Sequence, residues 1–367
     1  MNKLVLSNLL HRPLRSAVSV FAVAIEVIMI LSVVAIFMGM LHDQRQRTNG
    51  IGADLMMLGS HANIFNGLST ASMPVNDAIA LRRLPHVAVV SPAVQHSVLT
   101  TSNLAVIYGI DFTTFNAMRP FTFVSGGPFK SPDDAIVDTV WAGAHNLQVG
   151  STLEVMGHDF RVSGIVEAGK GGRTMVPIET LNSLMGVQNK ASIFYIKCDK
   201  PSNNALVTDE IHATPGLGNN EVISMADFLG QLTPSHLPGF NAAVNAVTAI
   251  AVIVGFLVIF QAMYTAVLER TREIGILKSM GASKSTIVSV VLRESAILAV
   301  AGVVLGIGGT FLLRFLLAIY LPTIPYEITT GWAAGAAGIA FAGALCGAIY
   351  PAWMAARKDP VDALAYD

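Results

Sequence analysis

Gly169-Lys170-Gly171-Gly172-Arg173-Thr174 has the composition of a phosphate-cradling loop. Such loops need G-x-x-x-x-G-K-[ST], with the lysine directly before a hydroxyl that reaches Mg²⁺. Here Gly171 follows Lys170, so the pattern fails and the segment reads as a mobile basic loop. The nine histidines include no H-E-x-x-H or other close pair, so they read as surface or core residues, not metal ligands. Asp133-Asp134 reads as a solvated acidic turn ahead of a strand. Cys198 and Cys346, the only cysteines, are too few and too far apart for a disulfide framework or a thiolate metal site. With no nucleophile–base pair and no Walker motif, the chain is expected to be non-catalytic and to bind no cofactor itself. Any work it does must draw on energy from elsewhere.

The most informative chemistry is charge arranged on a short rod. Leu268-Glu269-Arg270-Thr271-Arg272-Glu273-Ile274-Gly275-Ile276-Leu277-Lys278-Ser279-Met280-Gly281 alternates acid and base. As a helix it allows Glu269–Arg272 and Arg270–Glu273 pairs at i,i+3, each worth a few tenths of a kcal/mol. Ile274, Leu277 and Met280 then form a narrow apolar stripe, and Gly281 ends the helix as its C′ residue. Such a helix either lies on lipid headgroups or inserts into a cytosolic partner and carries its motion to the membrane. The polar face has no basic excess, which argues against the lipid reading.

Long apolar elements must position this rod. Residues AVILMFWYC make up 53% of the 367 residues and DEKR only 13%, against about 25% charged in soluble domains. Mean hydropathy is +0.58. The net charge of −1 gives no field that would recruit nucleic acid. A spanning helix needs about 20 apolar residues, and four stretches qualify: Ala17–Met40, Phe240–Leu268, Ser285–Leu321 and Gly331–Ala356. The third is interrupted by Arg293, Glu294 and Arg314. It exceeds one crossing, so it is expected to begin in cytosol or to break near Gly306, Gly308 and Gly309. Arg314 is expected to snorkel to the interface. The first stretch is too long for a signal peptide and lacks an A-x-A cleavage pattern, so it reads as a retained anchor. It carries one charge, Glu26, an expensive intramembrane carboxylate that is either functional or hydrogen-bonded in the bundle interior near Gln261. Lys3, Arg12 and Arg15, then Arg270 to Lys284, then Arg357 and Lys358 fall on one side of four crossings, which the positive-inside rule assigns to the cytoplasm. The spacings Gly302-x₃-Gly306, Gly331-x₃-Gly335 and Gly343-x₃-Gly347 favour close helix packing, within or between chains.

The architecture expected is an α-helical membrane protein with four transmembrane helices and a large α+β extracytoplasmic domain inserted between helices 1 and 2. Residues 1–40 form the amphipathic start and first span, 41–239 the outer domain, 240–268 the second span and 269–284 the coupling helix. Residues 285–321 and 331–356 form the last spans, and 357–367 a cytoplasmic tail. The outer domain holds 12 of the 23 basic residues and eight of the nine histidines, from His42 to His236. Strands are expected over Val87–Val94 and Val98–Ile110, with a hairpin of Thr152–Val155 and Asp159–Val166 about Met156-Gly157-His158. Helices are expected over Val75–Leu84, from Val176-Pro177 to Gly186, and over Met225–Leu232 capped by Ser224. Phe121–Pro132 reads as a joint between two subdomains.

These residues carry a family resemblance. The segment at 268–283 resembles the E-R-T-R-E-I-G-I-L-K-x-[ML]-G-A coupling helix of the MacB/FtsX-like ABC permease family, also called the type VII or mechanotransmission group. Tyr350-Pro351-Ala352-Trp353-Met354-Ala355-Ala356 through Pro360-Val361-Asp362-Ala363-Leu364 is similar to its terminus, and Asn8-Leu9-Leu10-His11-Arg12-Pro13-Leu14-Arg15-Ser16 to its start, with different basic spacing. Arg293-Glu294-Ser295 falls where the family carries an acidic residue, and Gly50-Ile51-Gly52-Ala53-Asp54-Leu55 resembles the start of its periplasmic core domain. The resemblance covers the chain in order, strongest at 268–283 and 350–364.

The resemblance implies two copies of the chain in a bacterial inner membrane, both termini cytoplasmic, each docked on a separate ATPase subunit that binds ATP and Mg. Closure of the ATPase pair would drive the outer domains, with coupling through Glu269, Arg270, Arg272, Glu273, Ile274, Leu277, Met280 and Gly281. The size of the outer domain suits contact with a periplasmic adaptor and an outer-membrane channel, which favours efflux. Release of lipids or lipoproteins and control of a cell-wall enzyme are the other tasks within this class. An anchored receptor that signals inward through 269–283 is the alternative from another class.

Overall fold

The computed structural model describes residues 13–60, 72–99, 104–236 and 239–358. Asn8 to Arg12 of the family-like start, with Lys3, and Pro360 to Leu364 of the family-like end lie outside the described residues. Helix α1 (Pro13–Ile51) runs 39 residues, eleven past the expected end at Met40. The chain divides into two compact units, one of residues 1–40 and 237–367 and one of residues 41–236. The last turns of α1 thus belong to the inserted domain.

That domain continues with β1 (Leu55–Leu58), β2 (Met73–Pro74), α2 (Asp77–Leu81), β3 (Val87–Leu99), β4 (Leu104–Ile110), α3 (Phe112–Met118) and β5 (Phe123–Gly126). Then follow β6 (Asp134–Asp138), α4 (Thr139–His145), β7 (Thr152–Val155), β8 (His158–Val166), β9 (Thr174–Pro177) and α5 (Ile178–Leu184). The domain closes with β10 (Lys190–Ala191), β11 (Ile193–Cys198), α6 (Asn204–Ala213), β12 (Glu221–Ser224) and α7 (Met225–Gln231). One sheet has the order β12-β1-β11-β3-β4-β9-β6-β8-β5, with β7 paired to β8. Pairing is antiparallel except β4–β9 and β6–β8. Leu55, Met57, Phe194 and Ile196 form a core with Val207 and Ile211 of α6. Ile107, Phe160 and Val176 form another with Ile178 and Leu181 of α5.

Local chemistry explains several elements and corrects others. The β7–β8 hairpin turns on Met156-Gly157 alone, with positive φ of 54° and 77°, and His158 already pairs with Val155. Two positive-φ positions are the signature of a tight hairpin turn that matches strand twist. Ser224 Oγ accepts the Asp227 amide at 3.0 Å and so caps α7. Val98 belongs to β3, not β4, and the helix expected from Val75 to Leu84 is confined to α2. No joint divides the domain at Phe121–Pro132: β5 lies in this stretch and is the sheet's edge strand, and the β4–β9 pairing makes the sheet continuous. Asp134 is not a solvated turn residue. It is buried, accepts the Lys130 and Ser131 amides at 2.7 and 3.0 Å, and lies 3.2 Å from Arg161.

The membrane unit adds α8 (Phe240–Glu269), α9 (Thr271–Ser279), α10 (Lys284–Tyr320) and α11 (Thr330–Arg357) to the start of α1. Four of its helices, α1, α8, α10 and α11, are long and apolar enough to cross a membrane. α11 presents alanine at every fourth position, Ala336, Ala340, Ala344, Ala348 and Ala352, each no more than 1% exposed. Residues four apart share a helix face, so this row lets neighbouring helices approach closely. Gly302 and Gly306 do the same for α10 against α1, since an added Cβ would lie 2.5 Å from Val23 Cβ and 2.7 Å from Val27 Cβ. Gly347 abuts α8, where a Cβ would lie 2.7 Å from the Phe256 oxygen. Gly331 and Gly335 touch nothing, so that spacing serves no packing among the described residues. The break expected near Gly306–Gly309 does not occur, and α10 is one helix of 37 residues. Packing of Gly302 and Gly306 on α1 supports the backbone there. The α10–α11 connection also binds α1, with Glu327 N–H to the Ala35 oxygen at 3.0 Å and Tyr326 Oη to Ser32 Oγ at 3.0 Å.

Substituting Gly302→Leu should separate α10 from α1 and cost roughly 2 kcal/mol or more, as over-packing does in well-filled cores. Gly308→Leu, at an exposed glycine with no neighbour within 4 Å, should leave stability within about 0.5 kcal/mol. Thermal unfolding of the detergent-solubilised chain compares the two.

Candidate functional site

The charged segment is not one helix from Glu269 onward. Arg270 departs from helical geometry (φ −106°, ψ 20°), which ends α8 and begins α9. Thr271 Oγ1, buried, donates to the Val267 and Leu268 oxygens at 3.1 and 2.8 Å and fixes the turn. The expected pairs Glu269–Arg272 and Arg270–Glu273 therefore do not form, because the break carries 269 and 270 off the face of 272 and 273. Glu269 instead lies 2.6 Å from Arg15 of α1. Arg270 reaches Glu294 of α10 at 3.4 Å, their side chains 14% and 7% exposed. Arg293, next in sequence, is exposed, while Ser295 is buried and donates to the Ala344 oxygen at 3.1 Å.

The far end of α9 is equally fixed. Lys278 Nζ donates to the Ala356 and Lys358 oxygens at 3.1 and 2.5 Å, placing a cation at the negative end of α11. Gly281 takes φ +94° and stops the helix as expected, with its N–H on the Lys278 oxygen and the Ala282 N–H on the Leu277 oxygen, both 3.0 Å. Ser283 Oγ then accepts the Thr286 amide at 3.2 Å and opens α10.

The expected stripe divides. Ile274 packs against the bundle core, while Leu277 and Met280 are exposed with Ile276, Met280 by 73%. Arg272 and Glu273 are exposed as well. Ile274 and Leu277 help line a cavity of about 150 Å³ between α8, α9 and α10, together with Met263, Val267, Ile287 and Val291. The segment thus has an anchored side and an outward side on which apolar and charged groups mix. Arg15 and Lys278 were not legible as its partners, since both contacts are long-range and neither spacing announces them. Arg314 is exposed.

Glu26 is 3% exposed, and neither carboxyl oxygen has a hydrogen-bond partner. Gln261 is exposed and does not meet it. The carboxyl instead faces bare glycine backbone, with a Cβ added at Gly255 falling 2.0 Å from Oε2 and one at Gly343 falling 3.9 Å from Oε1.

In the inserted domain, the basic loop at 169–174 is pinned rather than mobile. Lys170 is buried, with Nζ donating to the Phe115 oxygen at 3.3 Å and to the Arg119 oxygen, and it lies 3.8 Å from the Phe121 ring centre. Lys197 Nζ takes the Met118 oxygen at 2.5 Å. Two ammonium groups so satisfy carbonyls at the end of α3, which the helix itself leaves unbonded. The same loop grips the last turns of α1: the Gly171 N–H donates to the Arg47 oxygen at 3.0 Å, and Arg173 and Arg47 lie 3.1 and 3.0 Å from Asp43. Gly50 faces Gly169 so closely that a Cβ would fall 1.8 Å from its oxygen. Burial, with the nearby charges of Arg119 and Lys197, holds the Lys170 ammonium down at about 7. Among the described residues no three His, Cys, Asp or Glu side chains gather to hold a metal.

Four helices long and apolar enough to span, an amphipathic segment between the second and third, and an α/β domain inserted after the first define a polytopic membrane protein. Residues 16–214 match the MacB-like periplasmic core domain and residues 245–360 the FtsX-like permease C-terminal domain. The chain belongs to the MacB/FtsX-like family of ABC transporter permeases. It is 25% identical over 97% of its length to the macrolide export ATP-binding/permease protein MacB of Shewanella sp. (strain ANA-3), and it spans 58% of that relative. It is 24% identical to the ABC transporter permease YvrN of Bacillus subtilis (strain 168) over 73% of this chain and 72% of that one. The periplasmic region of MacB from Actinobacillus actinomycetemcomitans aligns with 50% of the chain and 94% of its own at a TM-score of 0.39 and 15% identity.

Two outcomes test the geometry. Arg270→Met strands the buried Glu294 carboxylate and should cost on the order of 3 kcal/mol, whereas adding Glu294→Gln should restore most of the loss, because removing one partner costs more than removing both. Chemical unfolding of the three variants measures this. For Lys170, the unfolded chain keeps its proton up to about pH 10.4 while the folded domain releases it near 7. Stability should therefore rise with pH between about 7 and 10 and level off below about 7, where both states hold the proton. Lys170→Met should flatten that rise in a thermal-shift series.

Proposed function

We propose that the chain is the membrane subunit of an ABC exporter, driven by ATP hydrolysis on a partner chain through α9. Two copies of the chain, each with an ATPase subunit that holds ATP and Mg, would form the working unit in a bacterial inner membrane with both termini in the cytoplasm. The observation that carries this reading is the division of the charged segment, α9 with the residues on either side of it. Glu269, Arg270, Ile274 and Lys278 are committed to the bundle, while Arg272, Glu273, Ile276 and Met280 face outward. A helix meant to lie on lipid would turn its apolar face outward with a cationic border. Here Glu273 stands on the outward side, which suits a protein groove better. Gly281, by ending α9 sharply, sets the angle at which that face is presented. The relative MacB, named for macrolide export, favours efflux, and the size of the inserted domain suits a periplasmic adaptor and an outer-membrane channel as its partners.

The test is co-purification with ABC ATPase subunits of the same organism, co-expressed with this chain. Glu273→Lys and Met280→Asp, both on the exposed side, should each lower ATPase recovery and permease-stimulated hydrolysis by tenfold or more without changing the thermal midpoint. Recovery equal to that of the unaltered chain in both variants would overturn the docking role, as would hydrolysis of ATP by the purified chain alone.

A further inference from the structure

The cations of the membrane unit divide into those with a partner and those without. Arg15 and Arg270 are spent on Glu269 and Glu294, the one acid of α8 and the one acid of α10. α11 carries no acid, and at its end Arg357 is exposed and forms no ion pair among the described residues. Its guanidinium carbon lies instead 3.9 Å from the centre of the Trp353 ring. Resting on that ring limits the rotamers open to the guanidinium and is itself favourable. Tyr350, half exposed like Trp353, stands beside it with ring centres 6.1 Å apart. Exposed tryptophan and tyrosine at the end of a spanning helix occupy the headgroup level of a bilayer. Ile349, Trp353 and Arg357 are four residues apart and all exposed, so they share one outward face of α11. Along that face the order is apolar, amphipathic, cationic, which is the order of acyl chain, glycerol and phosphate in a phospholipid. The last carbonyls of a helix would repel a phosphate, but Lys278 Nζ covers those of Ala356 and Lys358.

We propose that this face of α11 binds an anionic phospholipid, with the lipid phosphate on Arg357 and the glycerol and acyl chain along Trp353 and Ile349. The guanidinium fork matches a phosphate with two parallel N–H donors. An anionic headgroup is selected over a zwitterionic one, because a choline headgroup brings its own cation to the phosphate and leaves Arg357 unanswered. A soluble phosphate ester offers the same oxygens but has no chain to lie on the apolar part of the face. The exposed cation of α9, Arg272, differs in having an acid next to it, Glu273, so the mixed charge there and the acid-free end of α11 serve different partners. The lipid would sit at the joint where Lys278 ties α9 to α11. This assignment rests on the chain being a membrane protein and not on the export reading, so the test uses the chain without an ATPase.

The full chain, delipidated in detergent, is titrated with phosphatidylglycerol or with phosphatidylcholine of the same acyl chains, and bound lipid is read by native mass spectrometry. Phosphatidylglycerol should be held about fivefold more tightly, the worth of one basic side chain at an anionic surface. Arg357→Gln should abolish the preference. Trp353→Leu keeps the cation but removes its rest, and should weaken phosphatidylglycerol binding about threefold. Arg293→Gln removes another exposed cation, on α10, and should leave the preference unchanged. Glycerol phosphate in excess should not displace the lipid. Equal affinity for the two lipids, a preference that survives Arg357→Gln, or unaltered binding in Trp353→Leu would overturn the site. So would an equal loss in Arg293→Gln, which would mark diffuse charge in place of a site, and so would displacement by glycerol phosphate, which would mark a soluble anion as the occupant.

Discussion

Helices in lipid gain little from burying apolar surface against each other, because the tails are as apolar as leucine. Association must come from close approach, and here it rests on residues that lack side chains to speak of. The alanine row of α11 occupies the middle of the bundle, and Gly302, Gly306 and Gly347 bring α1, α10 and α8 within backbone distance of their neighbours. Dispersion is short-ranged, so each added methyl on these faces would forfeit contacts along a whole turn. The charged contacts of the membrane unit depend on that closeness. Arg270 reaches Glu294, and Ser295 the Ala344 carbonyl, only because α8, α10 and α11 sit tightly enough for short polar groups to bridge them.

The spans were legible because long apolar runs have few other uses, and the ends of α9 and α7 because Gly281 and Ser224 carry their own capping chemistry. Short strands were less so. The sequence puts the end of one strand at Val94 and the start of the next at Val98, yet β3 runs on to Leu99, since a β-rich run does not mark where one strand yields to the next. The charged segment failed differently. Reading it as a single helix gave i,i+3 pairs that local spacing permits, but tertiary partners on α1 and α10 outbid them. The Lys170 loop shows the same limit: its glycines suggested mobility, whereas Gly169 and Gly171 take positive φ so that the backbone can lie against α1. Nothing in a sequence states whether glycine is present for freedom or for closeness.

The division of charges around α9 has a mechanical consequence. α10 has 37 residues, about 55 Å at 1.5 Å per residue, well beyond a hydrocarbon layer of about 30 Å. Its first turns are joined to α9 through the Gly281 turn and the Ser283 cap, and Glu294, ten residues further along, holds the other end of α9 through Arg270. Lys278 adds the C-terminal carbonyls of α11, and the Arg15–Glu269 pair adds α1 at the end of α8. α9 is therefore not a loop suspended between two spans. It is held near both ends by charged groups, Arg270 on Glu294 at one and Lys278 on the α11 carbonyls at the other. A force on its outward face would be passed to these helices through those contacts. A flexible linker would absorb the same displacement in its own dihedrals, so the braces, more than the amphipathic pattern itself, make the segment suited to carry motion.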